Sequence, residues 1–278
     1  MIVKTPAKIN IGLKVINKRQ DGFHNIETIF YPVNLFDNLT IELSDNFSFE
    51  SNISHLAEED SNSVLKAVSL IEKESGWKLN VKIFLEKNIP IGAGMGGGSS
   101  DGAATLKLLN KLFELNLNDN KLKELALLIG SDAPYFINPV PSIAQSRGEL
   151  LTEIKFNIPH PILIVNPGIH VSTKWAYENI TLNAQHNNIS GIPDLDKIDF
   201  GELKNIFTND FEKVVFPEYP EVENIKNQLY DLGAIFALMT GSGSTVYGIF
   251  PDLQSAENAK ISFQDNYFSF VHSISESL

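Results

Sequence analysis

The sequence predicts a mixed fold, antiparallel sheet combined with amphipathic helices, on three observations. Strict alternation of apolar and polar residues recurs in separate runs at 8–15, 39–43 and 79–85, the period of a sheet with one face toward a core. Between and after those runs lie segments whose apolar residues repeat at helical spacing and whose ends carry capping residues. A glycine-rich tract joins the third run to one of those helices.

In the first run Ile9, Ile11, Leu13 and Val15 share one face, and Lys8, Asn10, Gly12 and Lys14 the other, which predicts a half-buried strand. An Asp21-Gly22 turn signal follows, then the alternating runs Leu39, Ile41, Leu43 and Leu79, Val81, Ile83, Leu85. The helix between them is capped by the cluster Ser61, Asn62, Ser63, striped by Val64, Leu65, Val68 and Ile71, and closed by Gly76. Beyond the glycine-rich tract a helix capped by Ser99, Ser100 or Asp101 carries Ala103, Ala104, Leu108 and Leu109. Another runs from Asp119 to Ile129, stops at Gly130, and leads into Ser131-Asp132-Ala133-Pro134. Strand pattern returns at Ile162–Val165, followed by a Ser172-capped helix with Trp175 and Tyr177 and a polar loop from Asn183 to Asp199. Helices around Leu203–Phe207 and Val222–Leu229, strands at Ile235–Met239 and Thr245–Phe250, a helix near Ala256 and a strand near Phe268 complete the chain. The pattern restarts near residue 155, which predicts two domains, 1–155 and 156–278. There is no internal repeat.

At 278 residues, 43% hydrophobic and 20% charged, the chain has the composition of an ordered globular protein, which excludes disorder and fibrous repeats. Twenty-two Lys and Arg against 34 Asp and Glu leave a net charge of −12, so no broad basic surface is on hand to neutralise nucleic-acid phosphates, and no nucleic-acid partner is expected. A polyanionic ligand then needs a local site. Zero cysteines exclude disulfides, thiolate metal sites and Cys nucleophiles and fit a reducing compartment. No apolar run reaches the roughly 18 residues of a membrane span, and Met1–Lys8 passes into strand pattern without a signal-peptide core, so a cytoplasmic chain without a membrane partner is expected.

The local site is the tract Pro90-Ile91-Gly92-Ala93-Gly94-Met95-Gly96-Gly97-Gly98-Ser99-Ser100. Glycines there free the backbone for conformations closed to other residues and let it approach a ligand closely. Several N–H groups can converge at the positive end of the following helix, a phosphate-type anion site in which each charge-assisted hydrogen bond is worth about 1.5 to 3 kcal/mol. The plain alternative is a hinge. No Gly-Lys-[Ser/Thr] closes the tract, so it is not a P-loop, and the preceding antiparallel pattern does not suit the dinucleotide fingerprint.

The tract resembles the ATP loop of the GHMP kinase superfamily. Within it, Pro6-Ala7-Lys8-Ile9-Asn10, Asp21-Gly22-Phe23-His24, Gly130-Ser131-Asp132-Ala133-Pro134-Tyr135-Phe136, Asn209-Asp210-Phe211-Glu212 and Thr240-Gly241-Ser242-Gly243-Ser244 resemble, in family order, the 4-diphosphocytidyl-2-C-methyl-D-erythritol kinases. The resemblance implies a two-domain α+β fold, with an N-terminal domain like the second domain of ribosomal protein S5 and a ferredoxin-like C-terminal domain. It implies transfer of the ATP γ-phosphate to the 2-hydroxyl of a cytidyl diphosphate substrate in non-mevalonate isoprenoid precursor synthesis, by a chain that is a monomer or weak homodimer.

The family's functional residues carry over position by position. Asp132 matches the catalytic base, needed because a tertiary hydroxyl is a poor nucleophile until a carboxylate accepts its proton. Lys8 matches its cationic partner. By composition alone these are a helix-capping Asp and a solvated strand Lys. Asn10 falls on the strand face of Lys8, as a substrate contact or an orienter of Lys8. Phe23 and His24 match the cytidine-recognition pair, one stacking on the base and the other bonding its edge; otherwise they are an aromatic plug after a turn. Phe23 stands where the family more often has Tyr, and Ser146 replaces the first glycine of a family Gly-x-Gly-Glu turn. Thr173 and Tyr177 align with the far side of the base pocket or are packing residues. Gly241, Ser242 and Gly243 match a second glycine-rich turn. Ser99 and Ser100 suit phosphate or Mg²⁺ contacts, or helix caps. The closest histidines, His160 and His170, are ten apart, so no protein-held metal cage is expected and Mg²⁺ arrives with ATP. Two rival readings are a GHMP kinase acting on mevalonate or a phosphomevalonate, against which Asp21–His24 argues, and a sensor without chemistry, against which Lys8 and Asp132 argue.

Overall fold

The computed structural model describes residues 1–57, 62–182, 189, 202–263 and 265–273. Apart from Ile189, the expected loop at 183–199 lies outside the described residues, as does Ser61. The chain forms two compact units, one of residues 1–7, 35–91 and 96–139 and the other of 8–34, 92–95 and 140–278. Compactness thus follows a different line from the sequence boundary near 155. The long strands β1 (Ile2–Lys18) and β2 (His24–Leu43) each contribute to both units.

In the first unit the C-terminal part of β2 pairs antiparallel with β4 (Val81–Glu86), and β3 (Ser48–Ser51) runs parallel to β4. Side chains alternate along β4, with Val81, Ile83 and Leu85 buried and Lys82, Phe84 and Glu86 turned out, so the period-two reading holds here. Helix α1 (Ser63–Ser75) starts where the Asn62 carboxamide accepts the Val64 N–H at 2.8 Å and ends at Gly76, whose φ of +74° only glycine adopts freely. Its buried stripe is Val64, Ala67, Val68 and Ile71. It packs on α2 (Gly97–Leu112) and α3 (Asp119–Ile129). Leu106 and Leu109 of α2 and Leu122, Leu125 and Ala126 of α3 complete that core, each large side chain contributing roughly 1.5 to 3 kcal/mol. A 3₁₀ turn, Ala133–Ile137, follows Asp132.

In the second unit β5 (Ser142–Ser146) pairs antiparallel with Ile26–Phe30 of β2 and with β6 (Leu150–Glu153). A separate four-stranded antiparallel sheet comprises β7 (Ile162–Asn166), β8 (Phe236–Met239), β9 (Val246–Ile249) and β10 (Phe268–His272), in the order β10-β7-β9-β8. Helices α4 (Thr173–Asn179), α5 (Leu203–Ile206), α6 (Glu212–Glu218) and α7 (Pro220–Asp231) lie between β7 and β8, and α8 (Leu253–Ile261) between β9 and β10. This is the β-α-β-β-α-β order of a ferredoxin-like sheet. Leu163, Val165, Val222, Ile225, Leu229, Val246, Phe250 and Phe263 form its core. No described helix is long and apolar enough to cross a membrane.

Two expectations need correction. Strand β1 is not half-buried: from Ala7 to Leu13 both faces are covered, because the polar side chains of Lys8 and Asn10 meet protein partners rather than water. Helix α2 begins earlier than its serines suggest. Gly96, at φ +70°, stands at its N-cap without a side-chain cap, leaving Ser99, Ser100 and Asp101 inside the helix with their side chains free for other partners.

His272 of β10 is buried, its Nδ1 accepting the Asn34 N–H at 3.1 Å, and burial pushes its pKa down to about 4. The depressed folded value means that His272 stabilises the native state fully above its unfolded pKa near 6.5, and that this is lost as pH falls toward 4, up to about 3 kcal/mol. Urea unfolding of the native protein is expected to show that loss between pH 7 and 4, and His272→Asn, which keeps an acceptor, to lack it. Equal losses in both proteins would contradict this origin.

Candidate active site

Positive φ at Gly92 (+64°), Gly94 (+76°) and Gly96 (+70°) alternates with the buried side chains of Ala93 and Met95. The backbone is thereby pinned at every second residue and bare in between. A side chain at Gly94 would collide with the carbonyl oxygen of Thr240, and one at Gly241 would come within 2.9 Å of the Gly94 carbonyl oxygen, so two glycine turns meet backbone to backbone. Gly92 lies against the His170 ring. The loop runs into the N-terminus of α2, whose first turn carries no acidic residue, leaving free N–H groups and a positive dipole end.

Asp132 lies at the same end. Its Oδ1 accepts the Ser99 hydroxyl at 2.6 Å, a Cβ at Gly96 would come 3.3 Å from its Oδ2, and its side chain caps no helix. A capping role is thereby removed. Ser100 is buried and its hydroxyl finds no partner among the described residues. An orphaned hydroxyl costs about 1 to 3 kcal/mol, so the site's chemistry suits a ligand that supplies the missing bond, a phosphate oxygen or a hydrated cation. Among the described residues no group of three or more His, Cys, Asp or Glu could hold a metal by itself.

Lys8 is buried, at 5% exposure, so the solvated reading does not stand. Its ammonium donates to Asn10 Oδ1 at 2.6 Å and to the Gly94 carbonyl at 2.8 Å and lies 5.3 Å from the Phe30 ring centre. Its own N–H bonds the Met95 carbonyl at 3.0 Å. Asn10 in turn donates to Thr28 Oγ1 at 3.0 Å.

The residues expected at the base pocket cluster in the second unit. Phe23 is 48% exposed, and the Arg147 guanidinium covers one face of its ring at 4.6 Å. His24 stacks on Tyr177, centroids 4.8 Å apart and planes 15° off parallel, and Tyr177 meets Phe211 edge-on. Burial, then the charge of Lys18, push the His24 pKa below its usual value, so the ring is neutral near pH 7, one nitrogen donating and one accepting. Thr173 and Ser242 share a hydrogen bond of 2.9 Å. Ser146 takes a left-handed φ of +62°, with its hydroxyl accepting from Arg19 at 2.6 Å and donating to Glu149 at 3.0 Å.

One cluster at the loop has no counterpart in the sequence reading. The buried Lys87 ammonium contacts Asp37 and, at 2.8 Å, Asp101 of α2. Asp37 also accepts the N–H groups of Asn88 and Ile89 at 2.6 and 2.8 Å, and Thr5 donates to Asp101 at 2.7 Å. The segment entering the loop and the helix leaving it are thus clamped on one charge cluster, and a Cβ at Gly97 would come within 3.2 Å of the Lys87 ammonium.

Residues 62–138 match the GHMP kinases N terminal domain and residues 192–268 the GHMP kinases C terminal domain. The chain is 40% identical over 274 residues to a 4-diphosphocytidyl-2-C-methyl-D-erythritol kinase of Chlorobium phaeobacteroides (strain BS1), covering 95% of this chain and 94% of that one. It is 42% identical over 256 residues to the enzyme of that name from Bacteroides thetaiotaomicron, covering 90% and 92%. A crystal structure of a 4-(cytidine 5'-diphospho)-2C-methyl-D-erythritol kinase superposes with a TM-score of 0.84 at 29% identity over 98% of each chain. A mevalonate kinase shares the fold, with a TM-score of 0.73 at 14% identity over 98% of each chain. High identity over nearly the full length, together with both domain matches, places the chain in the 4-diphosphocytidyl-2-C-methyl-D-erythritol kinase family of the GHMP kinases, as a small-molecule kinase of two-domain α+β fold.

Proposed function

We propose that this kinase transfers the γ-phosphate of ATP to the 2-hydroxyl of 4-diphosphocytidyl-2-C-methyl-D-erythritol, giving the 2-phosphate and ADP, in methylerythritol phosphate isoprenoid precursor synthesis. The observation that carries this reading is the bare glycine backbone entering the N-terminus of α2 with the Asp132 carboxylate against Gly96. Pro90–Ser100 hold the ATP phosphates through main-chain N–H groups. Asp132 accepts the substrate hydroxyl proton, the alkoxide oxygen bonds the γ-phosphorus, and the bond to the ADP oxygen breaks. Lys8 stabilises the charge that builds up on the transferring group. Ser99 and Ser100 are the hydroxyls that would face a phosphate oxygen or the Mg²⁺ arriving with ATP, whose charge would offset that of the phosphates.

Phe23, His24, Thr173 and Tyr177 form the cytidine pocket, with Asn10 and Gly241–Gly243 completing the substrate side. Their clustering in one unit supports this assignment. Base stacking is worth about 1 to 3 kcal/mol, so Phe23→Ala is expected to raise the KM for the cytidyl substrate roughly tenfold and to leave that for ATP unchanged; an unchanged cytidyl KM would remove Phe23 from recognition. The family domains are 1–155 and 156–278, a division supported by the matched segments falling on either side. We read the chain as a cytoplasmic monomer or weak homodimer.

ADP release with ATP-Mg²⁺ tests the reading against three arms: the cytidyl substrate, mevalonate, and no acceptor. Turnover is expected with the cytidyl substrate alone, and turnover with mevalonate alone would overturn it.

A further inference from the structure

We propose that Asn209 is a positioning residue for Lys8, acting through Thr240 and Asn10; the proposal rests on the assignment of Lys8 as the catalytic cation. Asn209 is buried, at 2% exposure. Its carboxamide donates both hydrogens to carbonyl oxygens, Met239 at 2.7 Å and Gly241 at 2.8 Å, and accepts the Phe211 N–H at 3.0 Å. Those two carbonyls flank Thr240 in the chain. One side chain therefore fixes the backbone on both sides of a single threonine.

Thr240 passes that constraint on. Its hydroxyl accepts the Asn10 N–H at 2.9 Å and lies 3.2 Å from Asn10 Oδ1 and 3.3 Å from the Gly94 carbonyl oxygen. These are the two oxygens that hold the Lys8 ammonium. Asn10 has no slack to absorb a shift, since Tyr247 bonds its carbonyl at 3.0 Å and Thr28 its amide. Asn209 itself is tied to the strand that carries Lys8: Leu13 bonds Thr208 and Asp210 at 2.9 Å each, and the Val15 N–H bonds the Asp210 carboxylate at 2.9 Å. Glu212 anchors the far side by accepting the Met239 N–H at 3.0 Å. The motif Asn209–Glu212 thus braces the second glycine turn, and the turn braces Lys8.

The chemistry calls for asparagine in particular. Only a carboxamide supplies two donors and an acceptor in that shape. Aspartate would set an anion against two carbonyl oxygens, and alanine would take the side-chain partner from three backbone groups, those of Met239, Gly241 and Phe211.

The test is a kinetic double-mutant cycle on the full chain, with thermal unfolding confirming each fold. Asn209→Asp and Thr240→Val are each expected to lower kcat roughly 10- to 100-fold, the cost of a small misplacement, with the KM for ATP little changed. Thr240→Ser, which keeps the hydroxyl, is expected to restore kcat to within about threefold of the native value. In a Lys8→Met background neither substitution should lower kcat by more than about a further threefold, because groups acting through one another do not add. Asn209→Ala, which removes the donors without adding charge, decides if the aspartate variant fails to fold. Losses in the Lys8→Met background as large as in the native enzyme overturn the proposal, as does a normal kcat in the folded Asn209 variants. A Lys8→Met enzyme with native kcat overturns the Lys8 assignment and the proposal with it, a result distinct from additivity on an inactive Lys8→Met enzyme.

Discussion

Asp132→Asn is expected to lower kcat by roughly 10²- to 10⁴-fold while the chain stays folded, the range for loss of a general base. The substitution keeps an oxygen that can accept from Ser99, and Asp132 caps no helix, so little stability depends on the charge. On the proposed mechanism, what disappears is the ability to take the hydroxyl proton as the oxygen attacks phosphorus. On the proposed reading the loop's main-chain N–H groups hold the nucleotide, so the KM for ATP should change little. Steady-state kinetics with a melting curve on the same preparation separate the two effects. A near-native kcat would remove Asp132 from the mechanism.

The largest stability effect is expected at Lys87. Its ammonium lies between Asp37 and Asp101, all three nearly inaccessible to water. Burial pushes the Asp101 carboxyl up to about 6 against the pull of Lys87. Lys87→Met leaves two carboxylates without a counter-charge, and breaking a buried pair from one side costs about 3 to 5 kcal/mol. The sign of the pH dependence follows from a folded pKa raised above the unfolded value near 3.9. Ionisation of Asp101 is a cost that sets in as pH rises through about 4 to 6, and losing the cation enlarges it. The loss on Lys87→Met should therefore be full at pH 7 and smaller near pH 4.5 in urea unfolding. A loss below about 1 kcal/mol at pH 7, or one independent of pH, would contradict the cluster's role in clamping the loop.

The legibility of the sequence followed how locally each feature is determined. Helices α1 and α3 and strand β4 were readable because caps, terminal glycines and alternation lie within a few residues of one another. The short strands β3, β5 and β6 were not, since pairing with a distant strand defines them, and α6 carries Pro217 inside it, which reads as a break. Lys8 shows the limit most plainly. Alternation put it on a solvent face, yet its neighbour Asn10 is covered by Thr240, 230 positions away. Lys87, just before Pro90, carries no local signal because its partners lie 50 and 14 positions off. Motif resemblance singles out the glycine loop, Asp132, Phe23 and His24 as candidates, but not Arg147 over Phe23. A role for Asn209 needed the bonds to Met239 and Gly241.

The most direct measurement is a crystal structure with a non-hydrolysable ATP analogue and Mg²⁺. The expected result is a triphosphate seated on the main-chain N–H groups between Gly94 and Ser100, its terminal phosphate facing Asp132. A nucleotide bound elsewhere, with this backbone left bare at saturating analogue, would contradict the account.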